Sequence, residues 1–275
     1  MQHEERHITS SDGLKLYLQV WKPKEEPKGI IQIIHGLGEH SNRYTNVINT
    51  LVPAGYIIYA CDLRGHGKSE GPRMFVNKFD EYIKDQQLIS KIIQEDYPEK
   101  PKFLLGHSLG STIAELFDNL NSFNGLILSA SGMRPGGSVP SILVKLSAIL
   151  AKIFPKLKVS TSIKGKDLSR DTAVAQGYME DPLVYKSATV RLGNEFFKAL
   201  EKTHSKLERI NIPCLVISGE NDTLMLGASE VYEKIGAQDK SLKIINEARH
   251  EVFNETEPSK SEALSELHMF LDKQL

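Results

Sequence analysis

Apolar positions recur along this chain in two rhythms. Leu14, Leu16, Leu18 and Val20 alternate with Lys15, Tyr17 and Gln19, a period of two that predicts a half-exposed strand ending at Trp21 and Pro23, read as an antiparallel edge. Beyond it come short continuous apolar runs at 29–34, 56–61, 103–105, 126–128, 214–217 and 242–245. Such runs suit strands of a parallel sheet covered on both faces. Helix-compatible stretches lie between them, around 42–52, 80–96, 110–120, 227–236 and 259–273. Strand alternating with helix predicts the α/β class: a mostly parallel, doubly wound sheet with right-handed crossovers.

The alternation stops between Ser131 and about Arg209, where an insertion is expected. Residues 1–131 and 206–275 then form the core, and 132–205 an inserted helical cap. Within the cap, Ile142, Leu146, Ile149 and Ile153 recur at helical spacing on one face, with Leu143, Leu150 and Phe154 beside them and Lys145, Lys152 and Lys156 on the flank. That face suits an apolar substrate or packing within the cap itself.

Composition narrows the picture. At 275 residues, one domain carrying an insertion is favoured over two independent ones. The 34 Lys+Arg nearly balance 35 Asp+Glu, and the net charge of −1 gives no field for holding nucleic acid. Cys61 and Cys214 are too few for a disulfide framework or a zinc site and read as buried thiols in a reducing compartment. The first residues, Met1 to Arg6, carry no apolar secretion signal, and no run reaches the roughly 18 apolar residues of a spanning helix. A cytoplasmic protein is expected, with peripheral membrane contact through the cap left open.

The chemistry sits at strand ends. Gly106-His107-Ser108-Leu109-Gly110 fits G-x-S-x-G, with an apolar run before it and Thr112 to Leu116 after it: the strand, sharp turn and helix of a nucleophile elbow. The glycines are needed because the serine backbone is strained and side chains two residues away would strike the neighbouring strand and helix. A serine nucleophile needs a base. In the α/β-hydrolase fold the histidine follows the last strand and the acid precedes it in the chain, which selects His250 in Glu247-Ala248-Arg249-His250-Glu251. The acid chosen is Asp222 in Gly219-Glu220-Asn221-Asp222, with Glu220 and Asp239 as competitors. It would fix the imidazole tautomer while the histidine moves the serine proton. Backbone donors for an oxyanion are expected at Leu109, directly after the serine, and at Leu37 in His35-Gly36-Leu37-Gly38-Glu39-His40. The glycines at 36 and 38 lack the third of a dinucleotide fingerprint, and Gly67-Lys68-Ser69 has Asp62 where a phosphate loop needs glycine. Neither a nucleotide cofactor nor a metal is implied.

Those two loops, together with Asp62-Leu63-Arg64-Gly65-His66-Gly67-Lys68-Ser69-Glu70-Gly71 and Asp181-Pro182-Leu183, resemble the monoacylglycerol lipase and lysophospholipase family from about residue 7 to 272. The resemblance implies a cap over a hydrophobic acyl channel, no cofactor, and cleavage of monoacylglycerols to fatty acid and glycerol. By position it carries the triad to Ser108, Asp222 and His250 and the oxyanion residues to Leu37 and Leu109. Ser111 departs from the pattern, standing where a second glycine often follows the elbow, as does Leu37, where a smaller residue is common. The segment from Asp62 to Gly71 reads as architectural. The expected substrate is a small lipid ester; a lysophospholipase or general carboxylesterase uses the same machinery, and a silent fold that only binds a hydrophobic ligand is the reading from another class. The oligomeric state is not legible. An epoxide hydrolase or dehalogenase is excluded, because those members of the fold place Asp at the elbow.

Overall fold

The computed structural model describes residues 1–136 and 148–275. Its centre is an eight-stranded sheet made of β1 (Gln2–Thr9), β2 (Lys15–Lys22), β3 (Gly29–Ile34), β4 (Tyr56–Cys61), β5 (Lys102–His107), β6 (Gly125–Ser129), β7 (Cys214–Gly219) and β8 (Lys240–Ile245). The spatial order is β1-β2-β4-β3-β5-β6-β7-β8, parallel from β4 to β8 and antiparallel only where β1 meets β2 and β2 meets β4. The helices joining them are α1 (Thr45–Leu51), α2 (Asp80–Asp96), α3 (Leu109–Glu115), α4 (Ala228–Lys234) and α5 (Ser259–Lys273).

The continuous apolar runs are explained by which way each residue points. In β3, Ile31 and Ile33 pack with α1 and α5, while Ile34 faces the α2, α3 and α4 side. The same alternation places Leu105, Ile127, Leu215 and Ile217 on the first face and Leu104, Leu126, Leu128 and Val216 on the second. Every position of these strands is therefore buried, each aliphatic side chain contributing about 1.5–3 kcal/mol by its removal from water.

The edge expected at β2 lies one strand further out. β1 pairs with β2 over eight residues, and Ile89 and Ile93 of α2 cover Leu16, Leu18 and Val20, so β2 is buried. β1 left no signal because its sequence, Gln-His-Glu-Glu-Arg-His-Ile-Thr, is polar and almost wholly exposed. The segment from Asp62 to Gly71 is held as an architectural loop would be. Arg64 forks onto Asp85 at 2.6 and 2.8 Å and also reaches Asp12 and Glu81, and Asp62 accepts from the backbone N–H groups of Ser41 and Lys68 at 2.8 Å.

Between β6 and β7 the chain leaves the sheet. Short antiparallel pairs join Lys158–Ser160 to Ser187–Thr189 and Arg134–Pro135 to Met225–Leu226, and helices occupy Gly165–Leu168, Thr172–Glu180 and Val190–Thr203. The last of these returns to the core, with Leu192 and Ala199 in the α2–α3 cluster and Thr189 capping its first turn through Leu192 N–H. Ile142 and Leu146 lie outside the described residues. Ile149 and Ile153 do not turn inward as a channel lining would, being 55 % and 62 % exposed.

Candidate active site

The elbow forms where β5 ends. Ser108 has φ 53° and ψ −114°, a left-handed strain that the surrounding packing imposes, and its N–H bonds Ser129 O on β6 at 2.9 Å. A Cβ at Gly106 would lie 2.7 Å from Ser111 Cα and strike the Gly110 carbonyl; one at Gly110 would strike the Ile34 carbonyl and come within 2.8 Å of His35 O. Only glycine lets α3 approach β3 and β5 this closely. Ser111, the departure from the family pattern, sits buried in this crowded turn and uses it: its hydroxyl lies 2.7 Å from Gly106 O and 3.0 Å from Ser129 O.

Beyond β7, Asp222 is buried and splits its carboxylate between two tasks. Oδ1 accepts from Leu224 N–H at 2.8 Å and Met225 N–H at 3.1 Å, and Oδ2 lies 2.8 Å from His250 Nδ1. Burial works to raise the Asp222 pKa, but His250 and the two backbone donors hold it below the ordinary carboxylate value. Burial likewise works against the charged form of His250, and Asp222, with Glu251 and Glu39 behind it, carries the imidazole above its ordinary 6.5. The competing acids face elsewhere. Glu220 accepts from Glu247 N–H at 3.0 Å, and Asp239 binds Lys273 and Gln274, both at 2.7 Å.

Ser108 and His250 line one narrow pocket with Gly36, Leu37, His107 and Glu251, and with Ile163, Leu168 and Tyr178 from the insertion. Its volume of about 20 Å³ is the room of little more than one water. Ser108 Oγ makes no hydrogen bond among the described residues, as is common for such a pair before substrate draws it together. Leu37 N–H and Leu109 N–H also have no acceptor among the described residues. The loop bearing Leu37 is fixed around them: Glu39 Oε1 accepts from Gly36 N–H at 2.6 Å and from Tyr44 Oη at 2.9 Å. Gly38, at φ 78°, offers its carbonyl to Tyr185 N–H at 2.8 Å, and His40 Nε2 lies 2.9 Å from Asp181 Oδ2.

Three charged residues, Glu39 and Glu251 at the pocket wall and Arg43 behind them, carry no role in the sequence reading. Arg43 meets both oxygens of Glu251 at 2.7 Å and Glu39 Oε2 at 3.2 Å, all three side chains being nearly buried. Two carboxylates on one guanidinium leave negative charge behind His250. Glu39 belongs to the His35–His40 loop and Glu251 adjoins the histidine, but Arg43 lies on an ordinary-looking helical stretch and carries no signal. His107, whose ring centre is 4.9 Å from that of His250, is driven down to about 4 by burial and by His250 itself, so it adds no opposing charge at neutral pH.

A family model described as serine aminopeptidase, S33, matches residues 25–257. The chain belongs to this family. This serine hydrolase is 32 % identical to the human monoglyceride lipase over 97 % of its own length and 90 % of the relative's. It is 29 % identical to the monoacylglycerol lipase of Mycolicibacterium smegmatis over 92 % of each chain. Its fold matches the crystal structure of the Paleococcus ferrophilus monoacylglycerol lipase with a TM-score of 0.85 at 31 % identity, covering 94 % of this chain and 99 % of that one. It is a serine ester hydrolase of the α/β-hydrolase fold, similar to the monoacylglycerol lipases.

Proposed function

We propose that this hydrolase cleaves monoacylglycerols to fatty acid and glycerol through an acyl-enzyme on Ser108, with His250 as the base and Asp222 as the acid that orients it. The observation that carries the reading is the buried Asp222–His250 pair, 2.8 Å apart, in the pocket that Ser108 lines. Asp222 holds the proton of His250 on Nδ1, leaving Nε2 to accept the Ser108 proton as Oγ attacks the ester carbonyl. The same nitrogen returns that proton to the leaving glycerol oxygen, then activates water to free the fatty acid. The unengaged N–H groups of Leu37 and Leu109 are the donors for the oxyanion of each tetrahedral intermediate.

The relatives' substrates and the composition of the pocket favour a single-chain lipid. Ile163, Leu168 and Leu37 offer apolar contact, and Tyr178 brings a buried hydroxyl with no partner among the described residues, fit to meet a glycerol hydroxyl. With about 20 Å³ free, an acyl chain enters only when the rim moves, and we assign residues 132–205 the part of a cap that does so. The outer face of that cap suits a membrane surface. Ile149, Ile153, Phe154, Leu157 and Val159 are 47–62 % exposed beside Lys152, Lys156 and Lys158, a combination that favours the interface of an anionic bilayer. No helix among the described residues is long and apolar enough to cross one. The reading is tested by kinetics on a panel of monoacylglycerols, lysophospholipids and nitrophenyl esters: the highest kcat/KM on a monoacylglycerol supports it, and the highest on a lysophospholipid replaces it.

A further inference from the structure

His250 stands on a loop, and a loop does not by itself hold an imidazole to a fraction of an ångström. Beside Asp222 on the ring and Arg43 on Glu251, part of what holds it comes from the insertion. The N–H of Glu251, directly after the histidine, donates to Leu168 O at 2.8 Å. The N–H of Arg249, directly before it, donates to Glu255 Oε1 at 2.9 Å. Glu255 is fully buried and gathers three further donors: Arg170 Nε at 3.1 Å, Arg170 N–H at 3.2 Å and Thr256 N–H at 3.1 Å. The Arg170 guanidinium also bridges to Glu247 and lies 2.8 Å from Ser259 Oγ, so it spans the loop from before the histidine to the start of α5. Return contacts close the joint, since Ser169 Oγ donates to Asn254 O at 2.8 Å and Arg249 reaches the carbonyls of Lys166 and Ser169.

We infer that Arg170 and Glu255 are positioning residues for the base: the insertion braces the His250 loop through this ion pair, so that the segment 166–171 belongs to the catalytic frame and not to the part of the cap that opens. This rests on His250 being the base. The physical argument is that a fully buried carboxylate must be compensated, and its four donors fix it in one place. One of those donors is the N–H of the residue next to His250. Without the Arg170 side chain the carboxylate keeps only backbone donors, its seat relaxes, and the histidine moves against Ser108, a displacement that can cost up to about a hundredfold when it reaches 1 Å.

The test uses nitrophenyl butyrate, a short ester that asks little of an acyl channel. Arg170→Met should lower kcat about tenfold to a hundredfold with KM within about twofold, and Arg170→Lys, which keeps a cation against Glu255, should recover part of the loss. An unchanged kcat on the butyrate, with the loss confined to KM for long-chain monoacylglycerols, would show that Arg170 merely seats the cap and would overturn the inference. Should Arg170→Met not fold, Arg170→Lys carries the decision: wild-type kcat on the butyrate overturns the brace, and a reduced kcat at unchanged KM upholds it. Wild type and Ser108→Ala are run beside them. Butyrate turnover that survives in Ser108→Ala marks a failure of the assigned chemistry and not of the brace.

Discussion

Asp222 meets His250 through one carboxylate oxygen, at 2.8 Å, while its other oxygen is tied to the backbone N–H groups of Leu224 and Met225. The division fixes which nitrogen of the imidazole carries the proton. Asp222→Asn would present an amide that can donate as well as accept, so the tautomer is no longer imposed, and kcat should fall by about four orders of magnitude with little change in stability. Glu220→Gln, at a carboxylate turned toward Glu247 N–H, should cost far less. With His250 as the proposed base, the same pair should set the acid limb of the pH profile. The base acts when neutral, and Asp222 raises its pKa, so kcat/KM should climb with pH through a value above 6.5. A reversal of the two mutational effects, read from steady-state kinetics, would reassign the acid.

A second titration belongs to the core. Glu115 on α3 is buried, its carboxyl accepting from Ser131 Oγ at 2.5 Å with no cation among its partners in the described residues, and burial pushes its pKa up to about 7 against that hydrogen bond. The unfolded chain titrates this group near 4.5. The folded state therefore binds the extra proton between those values, so the stability it contributes is complete below 4.5 and lost as pH rises through about 7. Thermal melts of wild type and Glu115→Gln from pH 5 to 8 isolate the effect: the wild type should lose on the order of 3 kcal/mol relative to the variant. A constant difference across that range would mean the carboxyl is ionised throughout.

The outward face of the cap makes a separate prediction. Because Ile149 and Ile153 are more than half exposed, changing both to Asp should leave the melting temperature and nitrophenyl butyrate turnover near wild type. Sedimentation with vesicles containing anionic lipid should fall severalfold, since the variant adds charge where, in the proposed contact, apolar area meets the interface. Undiminished vesicle binding would remove this face from the membrane contact.

How far the sequence could be read follows from the range of each signal. The core strands and helices were legible because burial on two faces writes continuous apolar runs, and the elbow because Gly106 and Gly110 admit no side chain. β1 was not legible, since an exposed strand carries no apolar period. The face of Ile149 and Ile153 was visible as a pattern, but periodicity reports that a face is apolar and not what it faces. The partners of His250 were hidden for a third reason: Arg43 is joined to Glu251 across 208 positions and Arg170 to Glu255 across 85, separations at which a single sequence holds no record of contact.

The central claim is that Ser108 attacks the ester of a monoacylglycerol. Its most direct measurement is the release of fatty acid and glycerol from a long-chain monoacylglycerol by wild type and by Ser108→Ala, with circular dichroism to verify that both are folded. The account predicts saturable turnover by the wild type and a loss of about a millionfold in the variant, the scale of nucleophile deletion in serine hydrolases. Retention of more than about a thousandth of the wild-type kcat by a folded Ser108→Ala would contradict it.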